Sequence, residues 1–202
     1  MSVALVRVDD RLLHGQVLIA WGCALAPARY LIVDDALADS PFERALVGSC
    51  GGDVPVEVVD VVTGAARVVA EAARPDGAVV LVRGLPPALA LVQAVRASGG
   101  AIDALNLGGL HHGPGRERVH DFVYLDEADR AALVALADLG VRVFVQDVPA
   151  SVPFDAPAAW GARVACPPSA RSSPRSPGAP GSPRTRPPSC SCWSASRSSP
   201  AR

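Results

Sequence analysis

Residues 3–25 read VALVRVDDRLLHGQVLIAWGCAL: an apolar run over 3–8, the polar stretch DDRLLHGQV over 9–17, and a second apolar stretch over 17–25. The first run has strand length and is nearly continuous, the pattern of a strand buried on both faces. The second has helical length. A strand leading through a charged loop into a helix is the opening unit of a parallel α/β fold, and the rest of the chain repeats it.

Strand-length apolar runs recur at 2–8, 29–34, 54–60, 77–84, 101–109, 120–126 and 141–149. Helical patterns lie between them, at about 15–26, 41–50, 61–74, 86–98 and 126–139. This order predicts an α/β domain over residues 1–165: an open, mainly parallel β-sheet with helices on both faces. The clearest helix is 126–139. Asp126 can cap its start, Ala132, Leu133, Leu136 and Leu139 form one apolar face, and Gly140 suits a left-handed position after its end. The segment NLGGLHHGPGRERVHD, residues 106–121, interrupts the rhythm and is expected to be a long polar loop.

Composition narrows the function classes. Aromatic residues make up only 4 %, so Ala, Val and Leu must fill the core. No lysine occurs, and six of the 19 arginines fall in residues 166–202, which hold no acid. The first 165 residues therefore carry 20 acids against 13 arginines, a net charge of −7. An acidic body argues against nucleic acid as a partner. The opening residues lack a basic segment followed by a long apolar one, and no apolar run reaches the roughly 18 residues that cross a bilayer. A soluble, cytoplasmic protein is expected.

The five cysteines show no paired metal-finger spacing, and a cytoplasmic setting argues against a disulfide framework. Cys23 and Cys50 are expected to be buried as small hydrophobes. From Cys166 onward Pro, Ser and Arg dominate, and such a segment buries too little apolar surface to offset its ordering entropy. Residues 166–202 are thus expected to form a disordered tail. Either it is a genuine basic tail, or it is the product of a frameshift in a GC-rich gene; the composition favours the frameshift.

Ligands of open parallel sheets bind outside the carboxyl ends of the strands, which is where the loop after the first strand lies. A helix beginning near Gly15 would turn its unpaired N–H groups toward an anion. A neutral imidazole at His14 has a free lone pair and can act as a nucleophile. Arg11 can hold a phosphoryl group with two parallel hydrogen bonds. Asp10 can orient the imidazole or hold Arg11. Gly15 removes bulk where a phosphoryl group and a partner approach, and Gln16 can donate a hydrogen bond.

The stretch RVDDRLLHGQV resembles the opening motif of the IIB component of the mannose/fructose/sorbose class of the sugar phosphotransferase system. That motif reads Arg-x-Asp-x-Arg-Leu-x-His-Gly-Gln-Val, and Arg7, Asp9, Arg11, Leu12, His14, Gly15, Gln16 and Val17 match it. Further similarity runs through LIVDDALADSPF, LNLGGLHHGPGRERVHDFVYLDEAD and LGVRVFVQDVP, covering roughly residues 2–150. The resemblance implies a phosphocarrier. His14 would take a phosphoryl group from the phosphorylated IIA component and pass it to a sugar entering through the IIC and IID membrane subunits. Arg11, Asp10, Gly15 and Gln16 would bind that group. No metal and no cofactor beyond the transient phosphohistidine is implied, and the protein would associate peripherally with the membrane complex. Homo-oligomerisation is compatible with the sequence. After DVPASVPFDAPAAW no familiar ending can be traced.

Other readings compete. Histidine phosphatases and mutases carry Arg directly before His-Gly, whereas Leu13 stands there in this chain. A regulatory or interaction protein retaining the IIB fold without sugar transport is the alternative; neighbouring genes for the other subunits would distinguish the two. Asp35 reads as a turn or helix cap. His111, His112 and His120 invite a zinc site, but no cysteine completes a set. His112, near a Gly-Gly turn, is expected to line the crevice or touch a partner. Arg116 and Arg118 read as a solvated edge able to meet an acidic partner.

Overall fold

The computed structural model describes residues 3–162 except 72 and 75, all within the compact unit Met1–Val164. Its strands are β1 (Val3–Asp9), β2 (Arg29–Val33), β3 (Val56–Val59), β4 (Ala78–Val82), β5 (Ala104–Gly109), β6 (Glu117–His120), β7 (Val123–Leu125), β8 (Arg142–Val145) and β9 (Phe154–Asp155). Seven form one sheet in the order β3-β2-β4-β1-β5-β8-β9, parallel throughout except for the edge pair β8–β9. The open, mainly parallel architecture expected from the sequence is the one observed. β1 stands at its centre.

The helices are α1 (Gly22–Leu25), α2 (Asp35–Asp39), α3 (Pro41–Gly48), α4 (Val61–Glu71), α5 (Leu85–Ala97) and α6 (Glu127–Asp138). A wide π-type turn, Gln16–Trp21, runs directly into α1. Successive strand residues face opposite sides of the sheet, so β4 supplies Val80 and Val82 to one core and Val79 and Leu81 to the other. The first core packs under α4, α5 and α6. The second packs under the segment from Leu12 to Leu25 and under α2 and α3. Each of these fully buried β4 side chains contributes roughly 1.5–3 kcal/mol relative to exposure.

The α6 signals behave as expected. Asp126 accepts from the Asp129 backbone N–H at 2.8 Å, Asp129 returns the bond, and Gly140 has φ 73°. Three expectations are corrected. Residues 120–126 do not join the main sheet: β7 pairs with β6 in a separate antiparallel hairpin, which also replaces part of the expected polar loop. Leu110 then bonds to both Phe122 and Tyr124 main chains, docking the hairpin beside the end of β5. Cys23 and Cys50 are exposed rather than buried, since the short helical turns carrying them face outward. The expected tail over 166–202 lies outside the described residues.

Asp35 is a cap, though of a distant helix: it accepts the Val61 N–H at 2.8 Å, while Asp34 caps its own helix at Leu37. No helix among the described residues is long and apolar enough to cross a membrane.

Candidate functional site

The onward connections of β1 and β5 depart toward opposite edges of the sheet, β1 toward β2 and β5 toward β8. A crevice opens outside adjacent strands that diverge in this way. The motif loop enters it directly from β1.

The period of two along β1 puts Leu5, Arg7 and Asp9 on one face, and this alternation builds the site's foundation. Arg7 is fully buried. It donates to Asp9 Oδ2 at 2.8 Å, to Asn106 Oδ1 at 2.6 Å and to the Gln146 carbonyl at 3.1 Å, with its guanidinium 5.6 Å from the Trp21 ring centre. Burial pushes the Arg7 pKa below its ordinary value, and the Asp9 carboxylate partly offsets that. Gly108 on β5 leaves the room: a Cβ there would overlap the guanidinium. Trp21 in turn donates to the Asp147 carbonyl at 3.0 Å, tying the helical segment to the end of β8.

Asp9, also fully buried, passes this anchorage to the loop. Its Oδ1 accepts the Arg11 backbone N–H at 3.1 Å and lies 3.5 Å from Arg11 Nε; its Oδ2 is 3.8 Å from His14 Nε2. Leu12 has a positive φ of 53°, unusual for a residue with a Cβ, and donates its N–H to the Asp9 carbonyl. This bend aims the Leu12 carbonyl at His14 Nδ1, 3.0 Å away. A carbonyl can only accept, so Nδ1 carries a proton here, and in the neutral ring the lone pair resides on Nε2. The His14 side chain keeps 17 % of its surface exposed. It sits at the rim, not in the core.

Gln16 Oε1 lies between the two nitrogen-bearing side chains of the loop, 3.2 Å from Arg11 Nη2 and 3.5 Å from His14 Nε2. Gly15 begins the helical segment with ordinary helical angles, φ −51° and ψ −38°, and a Cβ built on it would meet nothing within 4 Å. The glycine is therefore not demanded by its own fold.

Arg11, His14, Gly15 and Gln16 thus lie together in the loop after β1. Asp10 does not join them. Consecutive strand-end residues point oppositely, so Asp10 turns to the β5 side, where Oδ2 accepts the His111 backbone N–H and Oδ1 faces His111 Nδ1, both at 2.7 Å. The contacts expected of Asp10, to the imidazole and to Arg11, are made by Asp9. The crevice histidine is His111 rather than His112, whose ring packs edge-on against Tyr124. A Cβ at Gly109 would lie 3.3 Å from His111 Cε1, 3.7 Å from Asp9 Oδ2 and 3.8 Å from Arg11 Nη2. His120 packs instead among Phe122, Phe154 and Trp160. The three histidines thus lie in different surroundings, and among the described residues no three metal-ligating side chains converge.

Arg116 is committed internally, contrary to its expected role at a solvated edge. It lies 3.7 Å from Asp10, 3.6 Å from Asp126 and 3.4 Å from Asp129, and donates to the His111 carbonyl. Arg118 is exposed and pairs with Asp121. Arg7, Asp9, Asn106 and Gly108 carry the loop and were not singled out as its support. The signal was present: an arginine inside an apolar strand, two residues before an acid.

Comparison with known proteins accords with this geometry. The family described as "PTS system sorbose subfamily IIB component" matches residues 3–160. The chain is 28 % identical over 152 residues to the N-acetylgalactosamine-specific phosphotransferase enzyme IIB component 1 of Escherichia coli K12, covering 73 % of this chain and 92 % of that protein. It is 29 % identical over 144 residues to the sorbose-specific EIIB component of Klebsiella pneumoniae, covering 71 % and 85 %. The crystal structure of the IIB domain of the Klebsiella pneumoniae sorbose permease superposes with a TM-score of 0.68 at 27 % identity, covering 77 % of this chain and 93 % of that one. The chain belongs to the sorbose-subfamily IIB components of the phosphotransferase system.

Proposed function

We propose that this IIB component is a phosphocarrier in which His14 accepts a phosphoryl group from a phosphohistidine of a IIA component and delivers it to a sugar handled by IIC and IID membrane subunits. The observation that carries this reading is the convergence of Arg11 and His14 on one oxygen, Gln16 Oε1, at an exposed rim. A phosphoryl group replacing that amide oxygen would meet the same Arg11 donor beside the His14 ring and carry more negative charge. In the first transfer the donor P–N bond breaks, a new P–N bond forms on His14, and the proton lost by His14 restores the donor imidazole. In the second, the P–N bond breaks, a P–O bond forms on a sugar hydroxyl, and the hydroxyl proton restores His14.

Both ring nitrogens face oxygens in this state, Nδ1 the Leu12 carbonyl and Nε2 Gln16 and Asp9. Loading Nδ1 requires release of Leu12; loading Nε2 requires displacement of Gln16. Phosphoryl transfer passes through a loose transition state, so positioning and charge stabilisation supply most of the catalysis. Arg11, 46 % exposed yet held through its backbone by Asp9, supplies charge without enclosing the group. A carrier must not hold its cargo too tightly, and a half-open site suits that need.

The related mannose-specific EIIAB component of Escherichia coli K12, 30 % identical over 149 residues covering 73 % of this chain and 45 % of that protein, is described as an EIIAB component. That description supports a IIA protein as the donor. The test is transfer of label from phosphorylated IIA, followed by a chase with sugar and membranes bearing IIC and IID. Label should enter the protein, fail to enter His14→Ala, and discharge into sugar phosphate. Labelling without discharge in the presence of every subunit would contradict a transport role and favour the regulatory one.

A further inference from the structure

His111 has no place in the proposed chemistry so far, yet it stands on the opposite wall of the same crevice. Its Nδ1 is 2.7 Å from Asp10 Oδ1, and its backbone N–H donates to the other oxygen of that carboxylate. The two bonds fix the ring's plane and tautomer, since a carboxylate draws the proton to Nδ1. Nε2 has no partner among the described residues, and the side chain is 45 % exposed.

The wall opposite is Arg11. His111 Cε1 and Arg11 Nη2 both lie within 4 Å of the point where a Cβ on Gly109 would stand, and Gly109 leaves that space clear. The two groups are therefore at most about 7 Å apart, close enough for one phosphoryl group to accept a hydrogen bond of about 2.8 Å from each. Asp9 Oδ2, which is 3.8 Å from His14 Nε2, borders the same space.

We propose that His111, held by Asp10, is a second phosphoryl-contacting residue that donates from Nε2 to the transferring group across the crevice from Arg11. The proposal rests on His14 as the phosphoryl acceptor and deepens it. Nε2 donates when the ring is protonated, and an arriving phosphoryl anion favours that state. The charged groups facing the ring are Asp10, which favours the imidazolium, Arg116 and Arg11, which oppose it, and Asp9 at the floor. As pH rises and the proton leaves Nε2, the donor is lost. The contribution of His111 to transfer is therefore greatest when Nε2 is protonated and falls as pH rises.

Two substitutions separate this role from a structural one. The amide N–H of asparagine stands near the position of Nδ1 and preserves the bond to Asp10, while that of glutamine reaches the position of Nε2. Transfer from phosphorylated IIA is followed by rapid quench for wild type, His111→Asn, His111→Gln and His111→Ala over a range of pH. The expected result is a loss of about tenfold or more in His111→Asn and His111→Ala, the scale of one lost transition-state donor. His111→Gln should recover part of the rate, added imidazole should partly restore His111→Ala, and all three should lose the wild-type acid-side enhancement. Wild-type rates and pH profiles in all three variants would overturn the proposal, as would a His111→Asn variant as active as wild type. Failure of the parent reading looks different: label would persist on His14→Ala whatever stands at 111.

Discussion

Replacing Arg7 by methionine removes a buried charge while leaving a side chain of similar length. Arg7 and Asp9 both have no exposed side-chain surface, and their ion pair is 2.8 Å. Removing one member of such a pair costs about 3–5 kcal/mol, because the other remains charged in a poorly solvating interior. Asn106 Oδ1 also loses its donor, adding about 1–3 kcal/mol for an unsatisfied buried acceptor. Against a total stability of about 5–15 kcal/mol the variant should be severely weakened. Urea unfolding followed by circular dichroism measures the loss. Adding Asp9→Asn to Arg7→Met removes the stranded charge, so the double variant should be more stable than the two single losses would sum to, by about 1–3 kcal/mol. An Arg7→Met variant costing less than about 1 kcal/mol, or strictly additive single losses, would refute the account of Arg7 as the anchor of Asp9.

Other perturbations test the loop above that anchor. Arg11→Ala should slow phosphoryl acceptance by roughly 100-fold or more with the fold intact, because the Arg11 backbone bond to Asp9 survives the change; unchanged kinetics in a quench assay would reduce Arg11 to an ion-pair partner. Gly15→Ala, at a helical φ with open space around it, should leave stability equal or higher by about 0.4–1 kcal/mol while raising the KM for phosphorylated IIA; a destabilised variant would show that the glycine serves the fold instead. Asp129 has its pKa raised by burial, with the Asp126 N–H and Arg116 opposing. The folded state therefore binds the proton more tightly than the unfolded one, and wild type loses stability as pH climbs from the unfolded value through the folded one. Asp129→Asn should flatten that part of the stability profile, measured by urea midpoints at several pH values; a decline as steep as wild type's would contradict the assignment.

The fold was legible wherever apolar surface sets the pattern. The continuous β4 run Ala78–Val82 is buried on both faces, and the α6 cap and its closing Gly140 follow from local bonds. β6 escaped because none of its four residues is buried, so it carries no apolar alternation of its own. Cys23 and Cys50 were assigned by residue type alone, which ignores that the turns carrying them are short and outward-facing.

At the site, the chemistry-bearing residues were readable as a contiguous motif, but their support was not. Asp9 and Asp10 are neighbours of one type, and the period of two that puts Asp9 on the face of Arg7 applies only once the strand is read past its apolar run to residue 9. The side of β1 that meets Asn106 depends on β5, about one hundred residues away. His111 and Arg116 are held at the crevice by Asp10, about one hundred residues earlier in the chain, a long-range contact that no local pattern encodes.

The most direct test of the central claim is to map the phosphoryl group itself. Cleavage after arginine yields a peptide spanning residues 12–29 whose only histidine is His14, while His111 and His112 fall in 97–116 and His120 in 119–130. After reaction with phosphorylated IIA, an acid-labile, base-stable label should reside wholly in peptide 12–29 and vanish in His14→Ala. Label recovered in either of the other peptides, or retained by that variant, would contradict the account.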